Sequence, residues 1–155
     1  MILVSACLAG VLCKYNGTYN NVEEIIQLVE KGLAVPVCPE LLGGAGVPRE
    51  PNEIVGGDGH HVLDGKARVI TASGLDCTEL FVRGAEKVLE AAGKHRVEAA
   101  VLKERSPSCG SSLIYDGTFS GRKIQGCGVA AAMLQRAGIK VYSEENFRGE
   151  LKLQR

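Results

Sequence analysis

Short apolar runs alternate along the chain with longer segments in which apolar residues recur at helical spacing. Four runs are typical of buried strands, at residues 1–6, 33–37, 99–102 and 139–142. Three segments between them predict helices, at residues 20–32, 75–95 and 127–138. Strands alternating with helices indicate a parallel sheet covered on both faces, because the connections between parallel strands are nearly always right-handed. The pattern therefore predicts an α/β protein with a small Rossmann-like fold.

Residues 43–74 interrupt this alternation with a segment rich in glycine and proline. Its composition predicts no helix, and Asp64-Gly65 is typical of a tight turn between HVL and ARVI. We therefore expect a hairpin excursion at the rim of the sheet. No linker or internal repeat divides the sequence, so we predict one domain over residues 1–155.

Charge and composition narrow the range of partners. Hydrophobic residues make up 45% of the chain, and 18 basic residues balance 18 acidic ones without forming a block. This distribution does not favour a nucleic-acid polymer or a membrane surface, whereas a small anionic substrate is compatible with it. The apolar N-terminal stretch lacks a basic leader and is shorter than the ~20 residues of a spanning helix. We expect a cytoplasmic protein.

Six cysteines are the most informative residues, at positions 7, 13, 38, 77, 109 and 127. Ligands of open parallel sheets bind outside the carboxyl ends of the strands. Cys7, Cys38 and Cys109 each follow a predicted strand, so we expect their thiols to meet at one edge of the sheet. The thiols at positions 77 and 127 lie at helix starts, where a small apolar side chain is ordinary. Position 13 fits either a site or a loop.

Residue chemistry alone leaves three interpretations of the converging thiols. They form a metal or iron–sulfur site, they include one nucleophile, or they are inert. No CxxC pair of the kind found in zinc ribbons or ferredoxins decides among these. Cys109 lies in LKERSPSCGSS, where Pro107 and Gly110 predict a bent loop after the strand. The charged residues 103–105 in the same stretch are typical of a solvated loop.

Four blocks of sequence, taken together, resemble the thiouracil desulfidase (TudS) family over nearly the whole chain. They are SACLAGVLCKYNG at 5–17, PVCPELLGG with PRE-P-E at 36–53, LKERSPSCGSSLIYDGTFSG at 102–121 and GCGVAAAMLQRAGIKVYSEE at 126–145. The resemblance implies a [4Fe–4S] cluster held by Cys7, Cys38 and Cys109, with one iron left open. It also implies removal of sulfur from a thiolated pyrimidine, as a free base or a nucleotide, without net redox change. Such an exposed cluster is expected to be lost in air.

The same resemblance implies roles for further residues. Glu40 matches a carboxylate that moves protons, and Ser106 matches a serine that hydrogen-bonds the substrate or relays a proton. Arg49, Lys103 and Asn16 are candidate substrate contacts. Asn16 stands where many relatives carry aspartate, and the cysteine at 127 stands where an acidic residue is common. The alternatives are a metal-free enzyme that uses Cys109 as its nucleophile and a non-catalytic module that binds a nucleotide or a cluster.

Overall fold

The four apolar runs form one parallel sheet in the computed structural model, which describes residues 1–12, 14, 16 and 21–151. The strands are β1 (Ile2–Ser5), β2 (Ala34–Val37), β5 (Ala99–Leu102) and β8 (Lys140–Ser143). They lie in the order β2-β1-β5-β8, with Ile2 beside Ala34 on one side and beside Ala99 on the other. The predicted α/β fold with a parallel sheet is confirmed.

Helices cover both faces of this sheet. They are α1 (Glu23–Glu30), α4 (Thr78–Lys94), α5 (Val129–Arg136) and α6 (Phe147–Glu150). Successive side chains of a strand point to opposite faces. Leu3 therefore packs in the cluster with residues of α4 and α5, whereas Ile2 and Val4 pack with α1 and α6. Among the helices in the described part of the chain, none has the length and apolar character that crossing a membrane requires.

Helix α1 begins one residue later than the sequence suggests. The spacing of Asn21 and Glu24 predicts that Asn21 caps the helix, but Val22 occupies the N-cap and no side chain caps it. The backbone N–H of Val22 donates to the carbonyl of Leu8 at 2.9 Å. This bond ties the start of α1 to the segment after β1.

The glycine-rich excursion contains a helix that the sequence did not predict. Its elements are β3 (Asn52–Val55), α3 (Gly59–Leu63) and β4 (Arg68–Thr71), and the two strands pair antiparallel. The predicted hairpin between HVL and ARVI is wrong, because HVL lies in α3. The Asp58 carboxylate accepts hydrogen bonds from the backbone N–H groups of His60 and His61, so it caps the helix despite the surrounding glycines. Gly65, with a φ of +76°, follows as the turn residue.

Three further elements are short, namely α2 (Pro39–Leu42), β6 (Leu113–Tyr115) and β7 (Lys123–Gln125). Strands β6 and β7 pair antiparallel. A third buried cluster joins Ile54 of β3, Phe81 of α4, Ile114 of β6 and Val129 of α5. The excursion is therefore packed against the main body by an apolar core of its own.

Candidate active site

The order of the strands creates a binding position at one edge of the sheet. The chain passes from β1 to its neighbour β2 and then crosses to β5 on the other side of β1. Open parallel sheets bind ligands at such a switch point, outside the carboxyl ends of the strands. A cavity of about 520 Å³ lies there. This volume is in the range of small-molecule sites.

Three of the cysteines that the structure describes line this cavity, and each follows a different strand. Cys7 lies in a short 3-10 helix after β1, Cys38 follows β2 directly, and Cys109 lies in the loop after β5. Cys7 and Cys109 are buried, whereas Cys38 is half-buried. Parallel strands thus bring thiols that are far apart in sequence to one cavity.

The donor set suits an iron–sulfur cluster by residue type. In the described ranges, no three histidine, cysteine, aspartate or glutamate side chains are grouped so that they could hold a metal ion. Thiolates are the usual ligands of [4Fe–4S] clusters, in which each cysteine binds a different iron. Cluster ligands therefore need not converge on one atom. The role of the three thiols as ligands stays a prediction.

Helix α2 places a carboxylate on the cavity wall. Pro39 occupies the first helical position, where its ring suits the helix and no N–H is needed. A Cβ at Gly84 would lie 2.1 Å from the carbonyl oxygen of Pro39, and one at Gly43 would lie 2.2 Å from that of Leu80. Because only glycine permits this approach, α2 and α4 pack backbone to backbone. This packing of α2 against α4 fixes the position of Glu40.

The carboxylate of Glu40 is surrounded by three different polar groups. Its Oε1 accepts a hydrogen bond of 2.6 Å from the Ser108 hydroxyl. Its Oε2 lies 3.5 Å from the Cys38 thiol, which donates to it, and 3.9 Å from Nη2 of Arg49. One oxygen is therefore held by a hydroxyl, while the other faces a thiol and a guanidinium group.

The loop that carries Cys109 is held by the start of α5. The first N–H groups of a helix lack partners within the helix. Here the Val129 N–H donates to the carbonyl of Pro107 at 2.8 Å, so the loop supplies the missing acceptor. A Cβ at Gly128 would lie 2.4 Å from the carbonyl carbon of Ser108. The glycine before α5 thus lets the helix approach the loop.

Two serines connect this loop to Glu40. Ser106 lines the cavity, and its Oγ accepts hydrogen bonds from the backbone N–H groups of Ser108 and Cys109. The two serine hydroxyls lie 3.2 Å apart, and it is Ser108, fully buried, that contacts Glu40. Sequence reasoning assigned a role to Ser106 and none to Ser108. The spacing of the two serines around Pro107 was the available signal.

The Cys109 thiol is strongly shifted from its ordinary acidity. Burial raises its pKa to about 12, and the neighbouring Glu40 carboxylate adds to the effect. Hydrogen bonds with Ser5 and Ser108 lower the pKa but do not offset these causes. The thiol is therefore protonated at neutral pH, and a bound metal cation is the kind of partner that would deprotonate it.

The comparisons with known proteins agree with this geometry. A family model described as 2-thiouracil desulfurase matches residues 2–146. The chain belongs to this family. A relative from Bacillus subtilis (strain 168), named YbbK and described as uncharacterized, is 56% identical over 147 residues, which cover 95% of this chain and 97% of the relative.

A solved structure extends the comparison to the fold. It is described as the [4Fe-4S]-dependent thiouracil desulfidase TudS and matches with a TM-score of 0.84 at 40% identity. The match covers 95% of this chain and 92% of that chain. Together with the family match, it confirms the family resemblance and the α/β fold.

In this member of the 2-thiouracil desulfurase family, the charged residues 103–105 do not all face solvent. Glu104 is only 3% exposed, and its carboxylate accepts hydrogen bonds from Ser111, Ser112 and Leu113. Burial alone would raise the pKa of Glu104, but these hydrogen bonds outweigh it and hold the pKa below its usual value. The expectation of a solvated run is wrong for Glu104, because its partners lie in the next turn of the same loop.

The three candidate substrate contacts occupy different surroundings. Lys103 and Arg49 both line the cavity. The Lys103 ammonium lies 2.8 Å from the Glu144 carboxylate, and Arg49 donates to the carbonyl of Gly46 at 3.1 Å. Asn16 is exposed and is not among the residues lining the cavity. Substrate contact by these residues stays a prediction.

The remaining cysteines do not share the placement of the first three. Cys127 is buried, and its thiol lies 3.8 Å from a carboxylate oxygen of Asp58. Cys77 occupies the N-cap of α4. Neither of them lines the cavity, and their structural roles stay a prediction. Cys13 lies outside the described residues.

Proposed function

We propose that this chain replaces the sulfur of a thiolated pyrimidine, such as 2-thiouracil or a thiouridine nucleotide, with oxygen from water. The observation that carries the proposal is the meeting of Cys7, Cys38 and Cys109 with Glu40 around one cavity. Membership of the 2-thiouracil desulfurase family supports it, as does the description of TudS as a [4Fe-4S]-dependent thiouracil desulfidase.

Cys7, Cys38 and Cys109 are the residues that would hold a [4Fe–4S] cluster. A cluster bound by three cysteines supplies one iron without a protein ligand, which is a Lewis acid with affinity for soft sulfur. A thiol must lose its proton to become a metal ligand. The Cys38 thiol donates to Oε2 of Glu40, so the carboxylate lies beside one of the proposed ligands.

Glu40 is the general acid–base group in this proposal. A thiocarbonyl and one water give a carbonyl and hydrogen sulfide, so both protons of water move from oxygen to sulfur and no electron is gained or lost. Because Ser108 occupies Oε1, Oε2 is the oxygen available to take a proton from the attacking water and return it to the departing sulfur. Oε2 also lies 3.5 Å from the Cys38 thiol, one of the proposed ligands, and 3.9 Å from Nη2 of Arg49, a candidate substrate contact.

Ser106 holds the substrate or passes a proton to the carboxylate. Its Oγ already accepts hydrogen bonds from two backbone N–H groups, so the hydroxyl contributes one proton, which it donates either to a bound substrate or to Ser108. Ser108 donates its own proton to Glu40, so Ser106 is the donor in the contact between the two serines. The hydroxyls therefore form a chain that leads from the cavity to Glu40.

The metal-free alternative, with Cys109 as the nucleophile, has less support. Cys109 is only 4% exposed and the pKa of its thiol is raised to about 12, whereas reactive cysteines have lowered pKa values and partial exposure. The other alternative is a non-catalytic module that binds a nucleotide or a cluster. An assay for turnover of thiolated bases distinguishes such a module from an enzyme.

Iron and acid-labile sulfide analysis of anaerobically purified protein is the decisive experiment. We expect brown protein that converts 2-thiouracil or 4-thiouridine monophosphate to the oxo form and releases sulfide. Colourless, active protein that an alkylating agent inactivates with one-to-one stoichiometry would support the nucleophile instead. Ligand binding without sulfide release over a panel of thiolated bases would support the non-catalytic module.

Replacing Glu40 separates proton transfer from cluster binding. Glu40→Gln keeps the shape and the acceptor for Ser108 but removes the base, so we expect kcat to fall by about 10²- to 10⁴-fold. Iron content should stay at the wild-type value. A variant that turns over at the wild-type rate would remove Glu40 from the mechanism.

A further inference from the structure

Phe119 is the most exposed aromatic residue among the described residues that line the cavity. Its side chain is 37% exposed, whereas Phe81, another aromatic lining residue, is 2% exposed. Tyr115 also lines the cavity but is half-buried, and the ammonium of Lys123 lies 5.6 Å from its ring centroid. Among the described aromatic residues of the cavity wall, Phe119 therefore has the ring most open to contact with a ligand.

The backbone at Phe119 adopts a conformation that a bulky residue rarely takes. Its φ is +55°, in the left-handed region, where a side chain crowds the following carbonyl group. Gly117 and Gly121, on either side, have φ values of +93° and +82°, which glycine adopts readily. Glycine or asparagine would suit position 119 better than phenylalanine does. A strained residue at a cavity points to a role for its side chain.

A carboxylate from the excursion holds the loop that carries Phe119. Oε1 of Glu53 accepts hydrogen bonds from the backbone N–H groups of Gly117 at 3.0 Å and Phe119 at 3.1 Å. A Cβ at Gly117 would lie 2.6 Å from the carbonyl oxygen of Ile54, so the loop lies directly against β3. The ring is thus presented by an anchored backbone, which reduces the entropy lost when a ligand binds.

We propose that Phe119 is the stacking surface for the planar ring of the thiolated pyrimidine and that Glu53 is its positioning residue. This inference rests on the proposed function and specifies the part of the site that recognises the ring. Stacking on an aromatic side chain tolerates different exocyclic groups, because every base has a π-face. Phe119 therefore recognises the pyrimidine plane in both a free base and a nucleotide.

Substitution of Phe119 tests the stacking. Phe119→Ala should raise KM for 2-thiouracil by at least about fivefold, with a smaller change in kcat. Phe119→Leu, which keeps apolar volume but no ring, should behave like the alanine variant. Leu75→Ala is the matched control, since Leu75 is 63% exposed and does not line the cavity. An unchanged KM in Phe119→Ala, or full retention in Phe119→Leu, would overturn the proposal.

Two further variants separate recognition from structure. Phe119→Asn suits the left-handed backbone, so we expect Tm to stay at or above the wild-type value while KM rises. A fall in Tm with an unchanged KM would instead give Phe119 a structural role. Glu53→Ala should raise KM by loosening the loop, and Glu53→Gln, which keeps an oxygen acceptor, should restore it. A wild-type KM in Glu53→Ala would contradict the positioning role.

Binding of uracil, the oxo product, provides a readout without turnover. Isothermal titration calorimetry should show weaker uracil binding to Phe119→Ala than to the wild type, by a factor similar to the change in KM. If the wild-type protein binds uracil but removes no sulfur from thiolated bases, the proposed function fails. The ratio of the uracil affinities of the wild type and Phe119→Ala still tests the stacking in that case. Equal uracil affinities of the two proteins would overturn the stacking proposal alone.

Discussion

Cys109 and Cys127 are two buried thiols with similar properties and different neighbours. Each is 4% exposed, and burial raises the pKa of each to about 12, helped by a nearby carboxylate. That carboxylate belongs to Glu40 beside Cys109 and to Asp58 beside Cys127. Cys109 nevertheless lines the cavity, whereas Cys127 does not.

The comparison shows that burial and acidity do not identify the candidate ligand. Cys109 follows β5, one of the strands at the switch point, and shares the cavity with two other thiols. Cys127 precedes α5, and its thiol contacts the residue that caps α3. Position relative to the carboxyl ends of the strands is what distinguishes the two thiols, because that is where open sheets bind ligands.

The largest expected effect is a difference in iron content and activity between the alanine variants of Cys109 and Cys127. Cys109→Ala should lose cluster iron and desulfidase activity, since only two of the three proposed ligands remain, and Cys7→Ala or Cys38→Ala should do the same. Cys127→Ala should keep iron and activity and lose roughly 1 kcal/mol of unfolding free energy. Iron analysis, turnover assays and urea denaturation measure these effects. Wild-type iron content and activity in Cys109→Ala would show that Cys109 and Cys127 do not differ in function.

A smaller effect is expected from Glu104, which organises the loop that carries Cys109. Glu104→Ala leaves several buried N–H donors without an acceptor and should reduce the unfolding free energy by about 3 kcal/mol. The pKa of Glu104 is lower in the folded state than its unfolded value near 4.5. Ionised Glu104 therefore stabilises the wild-type protein at pH values above this unfolded pKa, and the contribution disappears as the pH falls through the folded pKa.

Urea denaturation between about pH 6 and pH 3 tests this dependence. We expect Glu104→Gln to be less stable than the wild type at pH 6, with a difference that narrows as the medium becomes more acidic. A difference that does not change with pH would show that hydrogen-bond geometry, and not ionisation, explains the role of Glu104.

The smallest effect is expected from Asp58, beside Cys127. Asp58→Ala removes the cap of α3 and should reduce the unfolding free energy by about 1 kcal/mol, whereas Asp58→Asn should retain most of the cap. Iron content and activity should match the wild type in both variants. Loss of cluster iron in Asp58→Ala would indicate that the Cys127 region supports the cavity after all.

Several features of the candidate site were predictable because they depend on local patterns combined with one rule of topology. The apolar runs predicted the four parallel strands within a residue, and the strand-end rule predicted that Cys7, Cys38 and Cys109 would line one cavity. The contact of Ser108 with Glu40 was not predictable in this way, since it joins residues 68 positions apart.

The amino-acid sequence by itself determined the alternation of strands and helices, because hydrophobic periodicity is a local property that each segment carries independently of its surroundings. Only the tertiary structure decided that Glu104 is buried and that Phe119 lies at the cavity. Each of these outcomes depends on hydrogen-bond partners or backbone contacts that arise when loops and segments pack together. Propensity and composition do not specify such partners, because their energies exist only in the assembled fold.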